Sequence, residues 1–249
     1  MDNFQLYSTY YDLLYKDKDY KTESNYIAKV LKDIDSSTTN ILELGSGSGS
    51  HAYYLSQSGF NIKGIERSES MVQESLKKNI PNFEPIHADI TDFKLNQKFD
   101  AVVSLFHVIS YLTHNDSLIE CLKLVHKHLK PQGVFMFDFW YTPAVYSLKP
   151  ETRVRRLEDE SISVIRIAES KIHTKTNVVD VNFEVHIQDK QNLQTQILNE
   201  LHPMRHFSLP ELDILAKLTG FEIVKSEEFL TGKEPSENTW GVCVILRKK

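Results

Sequence analysis

Five short apolar runs, ILEL from Ile41, FNIKGIE from Phe60, FEPIHADI from Phe83, FDAVVSLF from Phe99 and GVFMFDFW from Gly133, are separated by segments with helical spacing. Apolar runs that do not alternate with polar residues read as strands covered on both faces, and strands separated by helices pair in parallel. The expected fold is therefore α/β: a Rossmann-like, seven-stranded and mainly parallel sheet with helices on both faces. The intervening helices carry their own punctuation. HAYYLSQSG closes on Gly59, SESMVQESLKKN opens with Ser68 as N-cap, and SLIECLKLVHKHL leads into the fifth run.

Around Pro150 the pattern changes. ISVIRIAESKI, VVDVNFEVHIQD and QTQILNELHPMRHF are β-rich, and Val179, Val181, Phe183 and Val185 alternate with Asp180, Asn182, Glu184 and His186. Period-two alternation predicts an antiparallel insertion over 150–207, serving as a substrate lid or a dimer surface. SLPELDILAKLTGF then supplies a helix capped by Ser208 and stopped by Gly220, and EIVKSEEFL and TWGVCVILRKK complete the sheet over 208–249. At the other end, Tyr7, Tyr10, Tyr11, Leu13, Leu14 and Tyr15, followed by YIAKVLKDI, predict a helical lid over 1–40. The cofactor-binding core is placed at 41–145, within one domain spanning 1–249.

Composition narrows the function. With 29 Lys and Arg against 34 Asp and Glu, the formal charge is −5, which argues against nonspecific binding of nucleic acid. Cys121 and Cys243 are far apart in apolar surroundings and read as core thiols. No stretch reaches the roughly 18 apolar residues of a membrane span, and the start lacks a signal-peptide pattern, so a cytoplasmic setting without membrane contact is expected. No His or Cys set has metal-ligand spacing, and no metal is expected.

The stretch ELGSGSGSHA, Glu43 to Ala52, places Gly45, Gly47 and Gly49 at alternate positions, with Ser46 between the first two, where a strand runs into a helix. Side chains are removed there so that a ligand can approach the backbone at the carboxyl edge of the sheet. Dinucleotide sites want G-x-G-x-x-G and an anion at the helix start. Here the spacing is G-x-G-x-G, with an acid, Glu43, two residues before the first glycine. A carboxylate opposes an anion and suits a cation, such as the sulfonium and ammonium of S-adenosylmethionine. Glu66 ends the second strand about 20 residues on, where an acid accepts from ribose hydroxyls. Asp89 is positioned for an adenine amino group, Met71 and Ile90 for the ring faces, and Leu105 for the reactive end of the cofactor.

In order and spacing, ELGSGSG, GIERSESM (which includes Arg67), HADITDF, FDAVVSLFHVISYL and LKPQGVFMFDFW resemble the motif series of class I S-adenosylmethionine-dependent methyltransferases over roughly 40–140. The resemblance extends to the TDP-3-amino-deoxysugar N,N-dimethyltransferases. YYDLLYKDKDY is similar to that family's opening helix, which implies that Tyr15 approaches cofactor and substrate. DFWYTP, with Trp140 and Tyr141, resembles its aromatic segment, and ELHPMRHF, with His202 and Arg205, resembles its entry to the late helix, which implies substrate-binding roles for these residues. One stretch departs: where antibiotic-pathway members present an arginine to the nucleotide diphosphate, this chain reads GKEPSENTWG and offers Lys233, Asn238 and Trp240. Arg153, Arg155 or Arg156 of RVRR could meet a diphosphate instead, or form a solvated basic edge.

The resemblance implies a cofactor, S-adenosyl-L-methionine, and a small-molecule substrate, with a homodimer open. Methyl transfer asks the protein to align a neutral amine and exclude water, and a group that accepts the amine's proton raises the reactive fraction. Candidates are His107 and Tyr111 after the fourth strand and Tyr15 from the lid, with His202, Arg205 and His206 further off. Alternatives are an N- or O-methyltransferase of another small metabolite, a non-catalytic adenosyl-binding module, and a nicotinamide-dependent oxidoreductase.

Overall fold

The computed structural model describes residues 10, 13–15 and 18–249. The expected helical positions Tyr7 and Tyr11 lie outside these. Contacts divide the chain into two units, one of Tyr20–Leu148 with Arg205–Lys249 and one of Met1–Asp19 with Lys149–Met204.

In the larger unit, α1 (Tyr20–Ile34) precedes β1 (Asn40–Leu44), α2 (Ser50–Gln57), β2 (Asn61–Glu66), α3 (Glu69–Lys77), β3 (Phe83–His87), β4 (Phe99–Ser104), a short 3-10 turn (Val108–Tyr111), α4 (Asn115–His128), β5 (Leu129–Tyr141) and α5 (Thr142–Leu148). After the smaller unit come α6 (Leu209–Leu218), β10 (Phe221–Glu228) and β11 (Gly241–Lys248). The strands run β3-β2-β1-β4-β5, all parallel, and β11 pairs antiparallel with both β5 and β10. Seven strands, six of them sharing one direction, form the expected Rossmann-like sheet.

Strand alternation sorts the core into two layers. Ile41, Ala101, Val103, Met136 and Ile245 meet Ile27 and Leu31 of α1 and Ala52 and Leu55 of α2. Leu42, Leu44, Val102, Phe135, Phe137 and Val244 meet α4 and α6 through Leu118, Cys121, Leu122, Leu212 and Leu215. Burial on both faces is why these strands read as unbroken apolar runs. Cys121 and Cys243 are free, buried core thiols, as expected. Ser68 and Ser208 cap their helices by accepting from Met71 N and Glu211 N. No helix among the described residues is long and apolar enough to cross a membrane.

At the amino edge of the sheet Asp100 ties three strands. Its carboxylate accepts from the backbone N–H of Thr39 and Asn40, at 3.0 and 2.8 Å, and from Lys130 at the start of β5.

The smaller unit holds β6 (Arg153–Glu158), β7 (Ile162–His173), β8 (Val178–Asp189) and most of β9 (Thr195–Phe207), in the order β9-β8-β7-β6. The antiparallel register pairs Val164 with Ile187 and Arg166 with Val185. Ile162, Val164, Val185 and Ile187 bury one face against Tyr10, Leu13 and Leu14. The last residues of β9 belong to the larger unit, where His206 and Phe207 pair parallel with Trp140 and Tyr141.

Burial alone would raise the Asp100 pKa, but the Lys130 ammonium and two backbone N–H groups outweigh it and hold the carboxyl at about 2. Because the folded pKa is depressed, the stabilisation is present above pH 4 and is lost as pH falls toward 2. Asp100→Ala is expected to cost about 1–3 kcal/mol at pH 7. In urea unfolding, the gap from the parent should close between pH 4 and pH 2.

Candidate active site

The loop after β1 is built from backbone hydrogen bonds to its neighbour strand. Gly45 N and Ser46 N both donate to the Ile65 carbonyl, at 2.8 and 3.1 Å, and Gly49 caps α2 from the left-handed region. Gly47 has φ +53°, and a Cβ built there meets no atom within 4 Å, so the backbone faces open space in a conformation that side-chain-bearing residues resist. Glu66 at the end of β2 fixes this loop: Oε2 accepts from Gly47 N at 2.9 Å and Oε1 from Ser68 N at 2.8 Å. Each oxygen keeps a further lone pair for a ligand hydroxyl. Sequence reasoning passed over Gly64, where a Cβ would stand 2.5 Å from the buried Ser46 Oγ and 2.7 Å from Phe83. Its place in β2, beside the glycine loop, is the signal that could have found it.

The other adenosine candidates lie at the carboxyl ends of β2 and β3. Met71 and Ile90 are half-buried, and Arg67 and Asp89 are exposed. Asp89 Oδ1 accepts from Thr91 N and Oγ1, at 2.8 and 2.6 Å, and the Arg67 carbonyl is 3.0 Å from His87 Nε2.

Glu43 is 1% exposed, and its Oε2 has no hydrogen-bond partner. Burial, reinforced by the nearby Glu66 charge, pushes its carboxyl up to about 8. Its Oε1 lies 3.9 Å from Nδ1 of His51, whose Nε2 meets Glu23 Oε2 of α1 at 2.7 Å, while the Tyr20 ring packs edge-on against the imidazole at 4.9 Å. His51 was not among the sequence candidates, because its partners come from α1 and β1. The arrangement is a buried acid beside the glycine loop with one oxygen uncommitted, a place suited to a ligand cation.

After β4 the chain makes two consecutive left-handed residues, Phe106 at φ +62° and His107 at φ +59°. Such conformations cost about 1–3 kcal/mol each in residues other than glycine, so something must hold them. Asp138 of β5 does: its two oxygens each lie 3.2 Å from His107 N, and Oδ2 is 2.8 Å from His107 Nδ1 as an ion-pair contact. Burial would raise the pKa of this carboxyl, which is 2% exposed, but the charge and hydrogen bonds of His107 outweigh it and keep it below the ordinary range. Nδ1 stands at ion-pair distance from Asp138 but outside hydrogen-bond geometry, and Nε2 is the ring nitrogen on the far side from that carboxylate. Phe106 and Trp140 lie with ring centroids 6.1 Å from His107, and Trp240 packs edge-on to Trp140 at 5.4 Å. Tyr111 is 37% exposed on the 3-10 turn, while Leu105 is buried in the layer facing α1 and α2. Asp138 was missed because it sits inside the apolar run GVFMFDFW. An acid there is costly unless paired, and that was the available clue.

The remaining candidates divide between the two units. Arg205 is 7% exposed, donates to Glu211 Oε1 at 2.6 Å and lies over the Phe207 ring, while its buried Nε has no hydrogen-bond partner among the described residues. His206 is fully buried, and burial holds its pKa down to about 4, which keeps the ring neutral beside Thr142 Oγ1 at 2.8 Å. Tyr141 is half-buried, and Asn238 is exposed. Tyr15, Arg155 and His202 belong to the smaller unit. There burial raises the Tyr15 pKa, with Arg166 opposing it, Arg155 is exposed on β6, and His202 Nε2 meets Glu200 at 3.2 Å.

Residues 41–133 match the family model described as a methyltransferase domain. The chain is 30% identical over 139 residues to the dTDP-3-amino-3,4,6-trideoxy-alpha-D-glucopyranose N,N-dimethyltransferase of Streptomyces venezuelae, an alignment covering 55% of this chain and 58% of that one. It is 27% identical to the putative methyltransferase YqeM of Bacillus subtilis over 94% of this chain and 92% of that one. Among solved structures, the sugar N-methyltransferase KedS8 from Streptoalloteichus superposes with a TM-score of 0.81 at 22% identity, covering 96% of this chain and 93% of that one.

The raised pKa of Glu43 carries a testable cost. An acid whose folded pKa lies above its unfolded value stabilises the fold below the unfolded value, and that contribution is lost as pH rises toward 8. Glu43→Gln, which keeps the shape and removes the charge, should leave the ligand-free protein as stable as the parent near pH 5 and more stable at pH 9. Urea midpoints across that range measure it.

Proposed function

We infer that this chain, which carries a class I S-adenosylmethionine-dependent methyltransferase domain with S-adenosyl-L-methionine as its cofactor, methylates the amine of a nucleotide-linked amino-deoxysugar. The observation that carries an amine acceptor is the His107–Asp138 pair at the carboxyl end of the sheet. Support for the sugar comes from the resemblance of the aromatic and late segments and from the named activity of the Streptomyces venezuelae relative. The YqeM relative, aligned over nearly the whole chain, carries no substrate in its name, so an amine on another small metabolite is the second reading.

The residues fit the cofactor. Gly47 leaves the backbone open, Glu66 presents oriented lone pairs for ribose hydroxyls, and Glu43 offers an uncommitted oxygen to a cation. When bound, the cofactor supplies an activated methyl group on a sulfonium. The chain's own task is to hold the acceptor amine, keep water away and take a proton. Phe106, Trp140 and Trp240 supply apolar walls around the imidazole. Nε2 of His107 accepts the amine's proton, and Asp138 fixes the tautomer and stabilises the imidazolium that results. Tyr111, on the same turn, orients the amine.

Incubating the protein with labelled cofactor and a panel of TDP-amino sugars tests the reading, with mass spectrometry counting one or two added CH2 units. Transfer to an unrelated small amine and to none of the panel would favour the second reading. Asp138→Asn is expected to lower kcat by about 10- to 100-fold with little change in cofactor affinity.

A further inference from the structure

His51, the second residue of α2, stands between two carboxyl groups supplied by different elements of the larger unit. Its Nε2 lies 2.7 Å from Oε2 of Glu23, in the first turn of α1, and its Nδ1 faces Oε1 of Glu43 in β1 across 3.9 Å. The three side chains are 8%, 14% and 1% exposed, so water has little access to the row. The Tyr20 ring packs against the imidazole, and Ser24 Oγ donates to the His51 carbonyl at 3.4 Å. A neutral imidazole donates from one ring nitrogen and accepts at the other. With Nε2–H given to the Glu23 carboxylate, the lone pair on Nδ1 is turned toward Glu43.

The state of Glu43 gives the row a use. A buried carboxyl with one oxygen unpartnered is driven to its neutral form. Burial, with the Glu66 charge adding to it, pushes the pKa up to about 8, so at pH 7 the group holds a proton. A ligand cation beside Oε2 favours the ionised form, and the proton must then leave. The charged groups around the row are acids: Glu66 acts on Glu43, Glu23 faces the imidazole, and the buried Asp138 on the same sheet face is acted on by the His51 charge. An imidazolium at this place is therefore surrounded by negative charge.

We propose that His51 is a positioning residue that takes the Glu43 proton when a ligand cation binds, and that Glu23 holds the imidazolium so formed. The O–H bond of Glu43 breaks, an N–H bond forms at Nδ1, and Nε2–H stays on Glu23 as a charge-assisted hydrogen bond. Rotation of one side chain closes the 3.9 Å gap, or one water bridges it. No proton passes to solvent, so affinity for the cation stays level as pH varies near neutrality. The proposal rests on the placement of a ligand cation at Glu43.

Calorimetry on the full chain, in buffers of different ionisation enthalpy, counts the protons exchanged on binding. The probes are S-adenosylmethionine, which carries a sulfonium and an ammonium, and 5′-methylthioadenosine, a related thioether nucleoside with neither. At pH 7 the parent should release close to no proton with either probe. His51→Gln should release up to one proton on binding S-adenosylmethionine, and its affinity should rise by up to about tenfold from pH 6 to pH 7. 5′-Methylthioadenosine should show neither effect. Glu23→Gln keeps the imidazole but removes its anion, and should change in the same direction. It decides the matter if His51→Gln fails to fold, with Tm measured for both variants. Proton counts and pH slopes equal to the parent's overturn the proposal alone. So does an equal loss of affinity for both probes without pH dependence, the mark of a purely structural histidine. A parent that releases a full proton also overturns it, because the Glu43 proton then goes to solvent. A parent that does not bind S-adenosylmethionine removes the cation site itself and the proposal with it.

Discussion

A parallel sheet ends at its carboxyl edge in loops that have no ladder to join, and here one carboxylate ties two of them together. Glu66 receives the N–H of Gly47 with one oxygen and that of Ser68 with the other. The first bond sets the glycine loop and the second sets the entry to α3, whose N-cap is Ser68. Gly64, two residues earlier on the same strand, leaves room for Ser46. The position of the open backbone at Gly47 therefore follows from β2 as much as from β1.

The same edge concentrates acids that water does not reach, and each is handled differently. Glu43 has little to pair with and is pushed toward its neutral form, whereas Asp138 faces His107 and stays ionised. Register places both on the face covered by α1 and α2, because Glu43 aligns with Val103, Val103 with Met136, and Asp138 follows Met136 by two. Two carboxyl groups of nearly equal burial thus offer different chemistry, one an uncommitted oxygen and the other an anchored charge. That difference separates a place for a cation from a place for proton transfer.

The layout of the sheet was legible because burial on both faces leaves unbroken apolar runs, and because caps such as Ser68 and Ser208 use a local signal. The glycine loop was legible for the same reason. What escaped were partners made only by folding. His51 needs Glu23 from α1, Asp138 needs the turn after β4, and Asp100 needs Lys130 and the start of β1. Arg205 has a partner nearer in sequence: Glu211 lies only six positions on, at the first turn of α6.

The backbone at Phe106 and His107 adds a constraint on how this sequence can change. Asp138 answers both the amide and the ring of His107, so lengthening the acid by one methylene would disturb the turn and the imidazole together. Replacing the histidine would in turn strand a buried anion. Neither residue can drift without the other, and descendants of this chain should exchange them as a pair or retain both.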